Sequence, residues 1–196
     1  MAFEIEAKAR IENDEELERL TSLLKESGRL GGEFHKLDSY FAPGGEDFEN
    51  GKADSDMLIR LRYIGTDKAD RAVVTKKVKS FAGSVEVNRE TEFAVDPAAA
   101  FEELLLSIGY NRYIDKEKRG TSYYFSGAHV ELCNVSGLGW FIEIEIVIPE
   151  EGPEGKRDNA VEKLMAVFNA LGISGERMEP RYYIEMLRDG EADENE

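Results

Sequence analysis

From Phe3 onward, apolar and charged positions alternate: Phe3, Ile5, Ala7 and Ala9 share one parity, and Glu4, Glu6, Lys8 and Arg10 share the other. Successive side chains of an extended strand point to opposite faces, so this pattern predicts a strand with one apolar and one charged face. The period then changes. Asn13-Asp14 offers a helix cap, and Leu17, Leu20, Leu23 and Leu24 recur at helical spacing until Gly28 and Gly31-Gly32 end the run. Glu33 to Phe41 predicts a second strand, followed by a loop around Pro43-Gly44-Gly45. The acidic stretch from Glu46 to Asp56 contains Gly51 and has no strand pattern, which predicts a mobile segment.

Three more alternating segments follow, Met57 to Ile64, Arg71 to Lys79 and Val85 to Val95. Asp96-Pro97 predicts a helix start with Pro97 at the first helical position and an apolar stripe of Phe101, Leu104, Leu105 and Ile108, closed by Gly109. The second half repeats the plan. Tyr110 to Lys118, Ser122 to Ser126, Ala128 to Val135 and Trp140 to Ile148 read as strands, with turns at Gly127 and Gly137-Leu138-Gly139. A helix spans Arg157 to Ala170 through Val161, Leu164, Met165 and Phe168, Gly172 stops it, and a short helix follows Pro180. Long antiparallel strands with charged faces favour closure, because a closed sheet has no exposed edge. The reading is an α+β fold, a closed antiparallel barrel with helices around it. Residues 1-188 form a single domain in this reading, and 189-196 an acidic tail predicted to be disordered.

Bulk composition narrows the chemistry. The 196 residues are 41% hydrophobic and 34% charged, with a net charge of -16. That charge repels a polyanion at long range, and no basic segment is interleaved with aromatics, so nucleic acid is not an expected partner. No apolar run reaches the roughly 20 residues that span a bilayer, and Glu4 and Glu6 interrupt any signal-like region. A membrane is therefore not expected as a partner either. Cys133, the single cysteine, leaves no internal disulfide and suits the cytoplasm. His35 and His129 lack metal-ligand spacing, and neither a P-loop nor a Ser-His-Asp motif is present.

The charged faces carry the candidate chemistry. Glu4 and Glu6 stand about 6.6 Å apart along a strand, which suits two carboxylates sharing a divalent ion, with Lys8 beside them for an anion. Phe141 to Ile146 repeats the alternation, with Glu143 and Glu145 on one face and Trp140, Ile142, Ile144 and Ile146 on the other. Arg60 with Arg62, Lys77 with Lys79, and Lys116 with Lys118 repeat it in basic form. Paired guanidinium groups need an anion, and the planar fork of arginine suits phosphate. One such face would be an ordinary solvated strand; several together point to an ionic ligand.

These segments resemble the CYTH family, which includes class IV adenylate cyclases and thiamine triphosphatases among the triphosphate tunnel metalloenzymes. The resemblance lies in Glu4-Ile5-Glu6-Ala7-Lys8, Leu58-Ile59-Arg60-Leu61-Arg62, Thr75-Lys76-Lys77, Arg89-Glu90-Thr91-Glu92, Gly137 to Glu145 and Pro180-Arg181-Tyr182-Tyr183, in family order. It implies an eight-stranded antiparallel tunnel in which basic residues hold a triphosphate and acidic residues hold Mg2+ or Mn2+. By position, Glu4, Glu6 and Glu143 match metal-binding carboxylates, with Glu145 in support. Lys8, Arg60, Arg62 and Lys77 match the phosphate-binding and catalytic set, and Arg89, Arg181 and Tyr183 fall in matching motifs. A basic pair matches Lys116 with Lys118, or a bulged arrangement using Arg119. Where the family carries an aspartate, ten residues before Glu143, this chain has Cys133, a poor ligand for Mg2+. Either Glu131 reaches inward instead, so that Glu131→Ala harms metal-dependent activity more than Cys133→Ser, or the metal site is reduced.

The resemblance implies a small-molecule triphosphate as partner: ATP, thiamine triphosphate or tripolyphosphate. It favours a class IV cyclase-like conversion of ATP to cyclic AMP and pyrophosphate. Hydrolysis of an inorganic or organic triphosphate is the alternative, and a non-catalytic phosphate-binding module a third reading. A barrel of this size can also pair through an outer face as a homodimer.

Overall fold

The computed structural model describes residues 2–45, 57–65, 70–149 and 156–193, and among these the fold is a closed antiparallel barrel of eight strands with four α-helices around it. The strands are β1 (Ala2–Arg10), β2 (Arg29–Pro43), β3 (Ile59–Ile64), β4 (Arg71–Ala82), β5 (Val85–Val95), β6 (Tyr110–Phe125), β7 (Ala128–Val135) and β8 (Gly139–Pro149). The helices are α1 (Asp14–Ser27), α2 (Ala98–Ser107), α3 (Lys156–Ala170) and α4 (Tyr183–Asp193). Around the barrel the order is β1-β5-β4-β3-β2-β6-β7-β8, so the first and last strands pair and close the sheet.

The chain divides into two compact units. The first comprises the described residues within Met1–His35, Ser80–Arg89 and Lys118–Tyr182. Its core joins Ile5, Ala7 and Ala9 of β1 to Ile142 and Ile144 of β8, Val130 and Leu132 of β7, Leu20 and Leu24 of α1, and Leu164 and Phe168 of α3. The apolar parity of each strand thus meets a helix, and the charged parity faces away from it. The second unit comprises the described residues within Lys36–Lys79, Glu90–Glu117 and Tyr183–Glu196. Phe41, Leu61, Tyr63, Ala72 and Val74 there pack against Ala98 and Leu105 of α2.

Helix starts follow local chemistry. Asn13 caps α1, its side chain accepting from the Glu16 amide at 2.9 Å, and three acidic residues fill the first turn, where the helix dipole favours them. Pro97 sits one place before its expected position: its extended backbone (ψ 147°) makes it the cap, and α2 begins at Ala98. On α2 Ala98 and Leu105 are buried and Phe101 partly so, whereas Leu104 and Ile108, expected in the same stripe, are exposed. Trp140, expected to pack with Ile142, is likewise exposed.

Three glycines lie inside strands: Gly31 and Gly32, expected to end a helix, and Gly120, in the expected gap between two strands. β2 starts at Arg29 and runs through Gly31-Gly32, where Ser122 Oγ donates to the Gly32 carbonyl at 3.1 Å. β6 is one strand through Gly120 rather than two, because a Cβ there would sit 2.8 Å from Cys133 Cα and against the Leu132 carbonyl. Glycine at that position serves a close strand approach, not a turn. Helix α4 extends to Asp193, into the segment expected as a tail. The expectation for Glu46 to Asp56 lies outside the described residues, as do 194–196.

Candidate functional site

In the first unit, the register of β1 against β8 places Glu6 opposite Glu145 and Lys8 opposite Glu143. Side chains directly opposite in a ladder interact, and like charges there repel. Glu4, Glu6 and Glu145 nevertheless each offer a carboxylate oxygen within 4.8 Å of the others, all three half-buried. Asn88 Nδ2 donates to Glu6 Oε1 at 2.9 Å, which orients that carboxylate, while Asn88 Oδ1 is buried with no hydrogen-bond partner among the described residues. Three hard oxygen donors at this separation fit Mg2+ or Mn2+ and suit a soft ion poorly.

The other two expected metal ligands, Glu143 and Glu131, are not part of that triplet. Glu143 Oε2 accepts from Lys118 Nζ at 2.5 Å, and Glu131 Oε2 accepts from the same ammonium at 2.7 Å. The Cys133 thiol donates to Glu143 Oε1 at 3.8 Å. Burial alone would push the Lys118 ammonium down, but Glu143, Cys133 and Glu131 outweigh it and hold the group well above the usual lysine range. Lys8, also buried, donates to Glu86 Oε1 at 2.8 Å and lies 5.8 Å from the Tyr182 ring centroid.

In the second unit the basic residues gather around acids that the strand pattern conceals. Asp38, fully buried on β2, accepts from Arg62 Nε at 2.8 Å and from Arg62 Nη2 at 2.9 Å, and pairs with Lys116 Nζ at 3.2 Å. Burial opposes ionisation of Asp38, yet Lys116 and Arg62 hold its carboxyl far below the ordinary range. Lys116 also donates to Tyr40 Oη at 3.1 Å and lies 5.5 Å from the Tyr183 ring centroid. Arg60 Nη2 reaches Thr75 Oγ1 at 2.9 Å, Glu92 Oε1 at 3.3 Å and Glu90 Oε2 at 3.8 Å. Burial and Arg62 depress the Arg60 guanidinium, but Tyr40, Asp38 and Glu90 raise it above its ordinary value. Its Nε is buried with no hydrogen-bond partner among the described residues, a donor that an anion would satisfy. Lys77 Nζ meets Glu90 Oε1 at 2.8 Å.

Three expected substrate contacts stand apart from these clusters. Arg89 pairs in register with Phe3 and shares the parity of Val85 and Val87, so alternation turns it from the face of Glu86 and Asn88. Arg119 is exposed while Lys116 and Lys118 are buried, and the ladder with β7 runs in regular register from Lys118 through Arg119. Arg181 forks onto Glu179 with bonds of 3.0 and 2.8 Å. Asp38, Tyr40, Glu86 and Asn88 were not singled out in the sequence. Asp38 and Tyr40 alternate with Ser39 and Phe41, and reading β2 with period two rather than by its apolar residues exposes both.

The CYTH domain family model matches residues 2–183. The chain belongs to the CYTH domain family. A Methanocaldococcus jannaschii protein described as a candidate adenylate cyclase is 22% identical over 188 residues, 94% of this chain and 98% of that one. The solved PH1819 protein of Pyrococcus horikoshii OT3 is 26% identical, with a TM-score of 0.73 over 95% of this chain and 98% of that one. A Hippeastrum protein described as a candidate adenylyl cyclase that reveals a dominant triphosphatase activity shares the fold, with a TM-score of 0.63 at 17% identity over 95% and 96% of the two chains. This CYTH domain therefore has both an acidic triplet and the basic strands on which the sequence resemblance rested.

Proposed function

We propose that this protein is a metal-dependent enzyme acting on a small-molecule triphosphate, with ATP cyclisation to cyclic AMP and pyrophosphate as its first reading. The observation that carries it is the convergence of Glu4, Glu6 and Glu145 within 4.8 Å inside a CYTH domain. Mg2+ or Mn2+ bound by that triplet would offset charge on phosphoryl oxygens and on the pyrophosphate leaving group. Arg60, Arg62, Lys77, Lys8 and Lys116 supply positive charge for the phosphates, and Arg60 offers a buried donor with no hydrogen-bond partner among the described residues. Asp38 and Glu90 keep their cations extended and charged before substrate arrives, which lowers the reorganisation needed on binding.

In cyclisation the ribose 3′-oxygen bonds to the α-phosphorus while the bond to the bridging oxygen breaks, and pyrophosphate leaves with the electron pair. Triphosphate hydrolysis uses the same anchoring with water attacking the terminal phosphorus, and the dominant triphosphatase activity named for the Hippeastrum fold neighbour favours it as the second reading. Incubation with ATP, thiamine triphosphate and tripolyphosphate in Mg2+ or Mn2+ separates the readings. Cyclic AMP supports the first and phosphate release the second. Neither product, with triphosphate still bound, identifies a non-catalytic phosphate-binding module.

A further inference from the structure

We infer that Lys118 is a built-in counter-ion for Glu131 and Glu143, so that the described barrel carboxylates form one divalent-cation site, at Glu4, Glu6 and Glu145, and none at Glu143. Glu143 follows the same strand alternation as Glu145, so sequence position does not distinguish them; their surroundings do. Glu143 Oε2 is taken by the Lys118 ammonium and Oε1 by the Cys133 thiol. A divalent ion at Glu143 would have to displace a buried ammonium that also holds Glu131, and would gain in Cys133 only a soft, weak ligand. Lys118 is fixed in turn: the regular β6–β7 ladder sets it opposite Val135, and its ammonium lies 5.7 Å from the Phe34 ring centroid. Cys133 and Lys118 therefore act together, the thiol lowering the gain from a metal and the ammonium removing the need for one.

This inference rests on the reading that the triplet holds a cation, and counting bound metal separates the two. Free Mn2+ is followed by electron paramagnetic resonance while it is titrated into the wild-type protein, Lys118→Met, Lys118→Met with Glu143→Gln, and Glu145→Gln. The expected result is one Mn2+ per wild-type chain, two for Lys118→Met, one again for the double variant and none for Glu145→Gln. Circular dichroism reports folding of each variant. If Lys118→Met does not fold, Glu143→Gln alone decides: it retains one Mn2+ with an affinity within threefold of wild type, and a tenfold loss overturns the inference. Two Mn2+ on a wild-type protein that also turns over triphosphate overturn this inference while leaving the proposed function standing. A folded Lys118→Met that still binds one overturns it as well. No Mn2+ on wild type overturns the metal reading of the triplet and this inference with it.

Discussion

In the first unit one ammonium, Lys118, serves two carboxylates, while in the second one carboxylate, Asp38, serves Arg62 and Lys116, and Glu90 serves Lys77 and Arg60. The proportions are opposite. Around Glu4, Glu6 and Glu145 carboxylates are gathered within 4.8 Å of one another, whereas Arg60, Arg62, Lys77 and Lys116 are each paired with Asp38, Glu90 or Glu92. Buried ions cost several kcal/mol each unless compensated, so an unbalanced cluster persists only where the fold imposes it or a ligand finishes it.

The largest effect is expected from the second unit, where one acid holds two cations. Asp38→Asn leaves the buried Lys116 and the half-buried Arg62 without their shared charge and should lower unfolding free energy by about 3 kcal/mol in urea titrations. Its pH dependence has a definite sign. Asp38 has a folded-state pKa depressed by Lys116 and Arg62, so its contribution is fully present above the unfolded value of about 3.9 and is lost as pH falls toward the much lower folded one. Wild-type stability should therefore decline below about pH 4 more steeply than that of Asp38→Asn, the two curves converging. Parallel curves would assign the Asp38 effect to packing alone.

Next comes the acidic triplet. Glu145→Gln removes one of three oxygen ligands and should cost about 100-fold or more in Mn2+ affinity, with product formation falling alongside. The substitution also relieves like-charge repulsion within the triplet, so stability of the metal-free protein should fall less than for Asp38→Asn. Thermal melts in chelator check this, and a Glu145→Gln as destabilised as Asp38→Asn would show that the triplet is held by the fold rather than poised for a cation.

How far the sequence reached depends on the same distinction between faces and partners. Period-two alternation was enough for the closed barrel and for the shared face of Glu4, Glu6 and Lys8, because strand parity depends only on local backbone geometry. It failed at Gly31 and Gly120, where glycine answers to a neighbouring strand that a linear reading does not see. Partner choice was also out of reach. Glu143 and Glu145 share one strand face, but only the ladders to β1, β7 and β6 decide that Glu143 meets Lys118 while Glu145 meets Glu4 and Glu6. Asp38 was concealed for another reason: a lone acid in an apolar-looking strand has no motif, and its role comes from Arg62 directly across the β2–β3 ladder.

The shared ammonium gives a smaller test. Glu131→Gln weakens one of two charged bonds to Lys118 but leaves Glu143 in place, so it should cost about 1.5–3 kcal/mol of stability. Mn2+ affinity should change little, because Glu131 acts on the ammonium and not on the triplet. A large loss of Mn2+ binding with stability intact would restore Glu131 as the replacement for the aspartate missing at Cys133. Cys133→Ser, which keeps a donor to Glu143, should change both quantities less.

The smallest effect sets the scale for all of these. Arg177 forks onto Glu16 at the start of α1, with bonds of 2.7 and 2.9 Å, and both side chains keep some exposure to solvent. Arg177 draws the Glu16 carboxyl below its ordinary range against a modest burial penalty, so the pair adds stability above the unfolded carboxylate pKa and loses it on acidification. Water and ions screen this pair, and Glu16→Gln should cost only about 0.5–1 kcal/mol, most of it gone in about 1 M salt. Salt should leave the Asp38→Asn difference largely intact, because ions cannot enter around a fully buried carboxylate. If both differences shrink together in salt, the Asp38 cluster is hydrated, and the contrast between a buried and a screened ion pair does not hold.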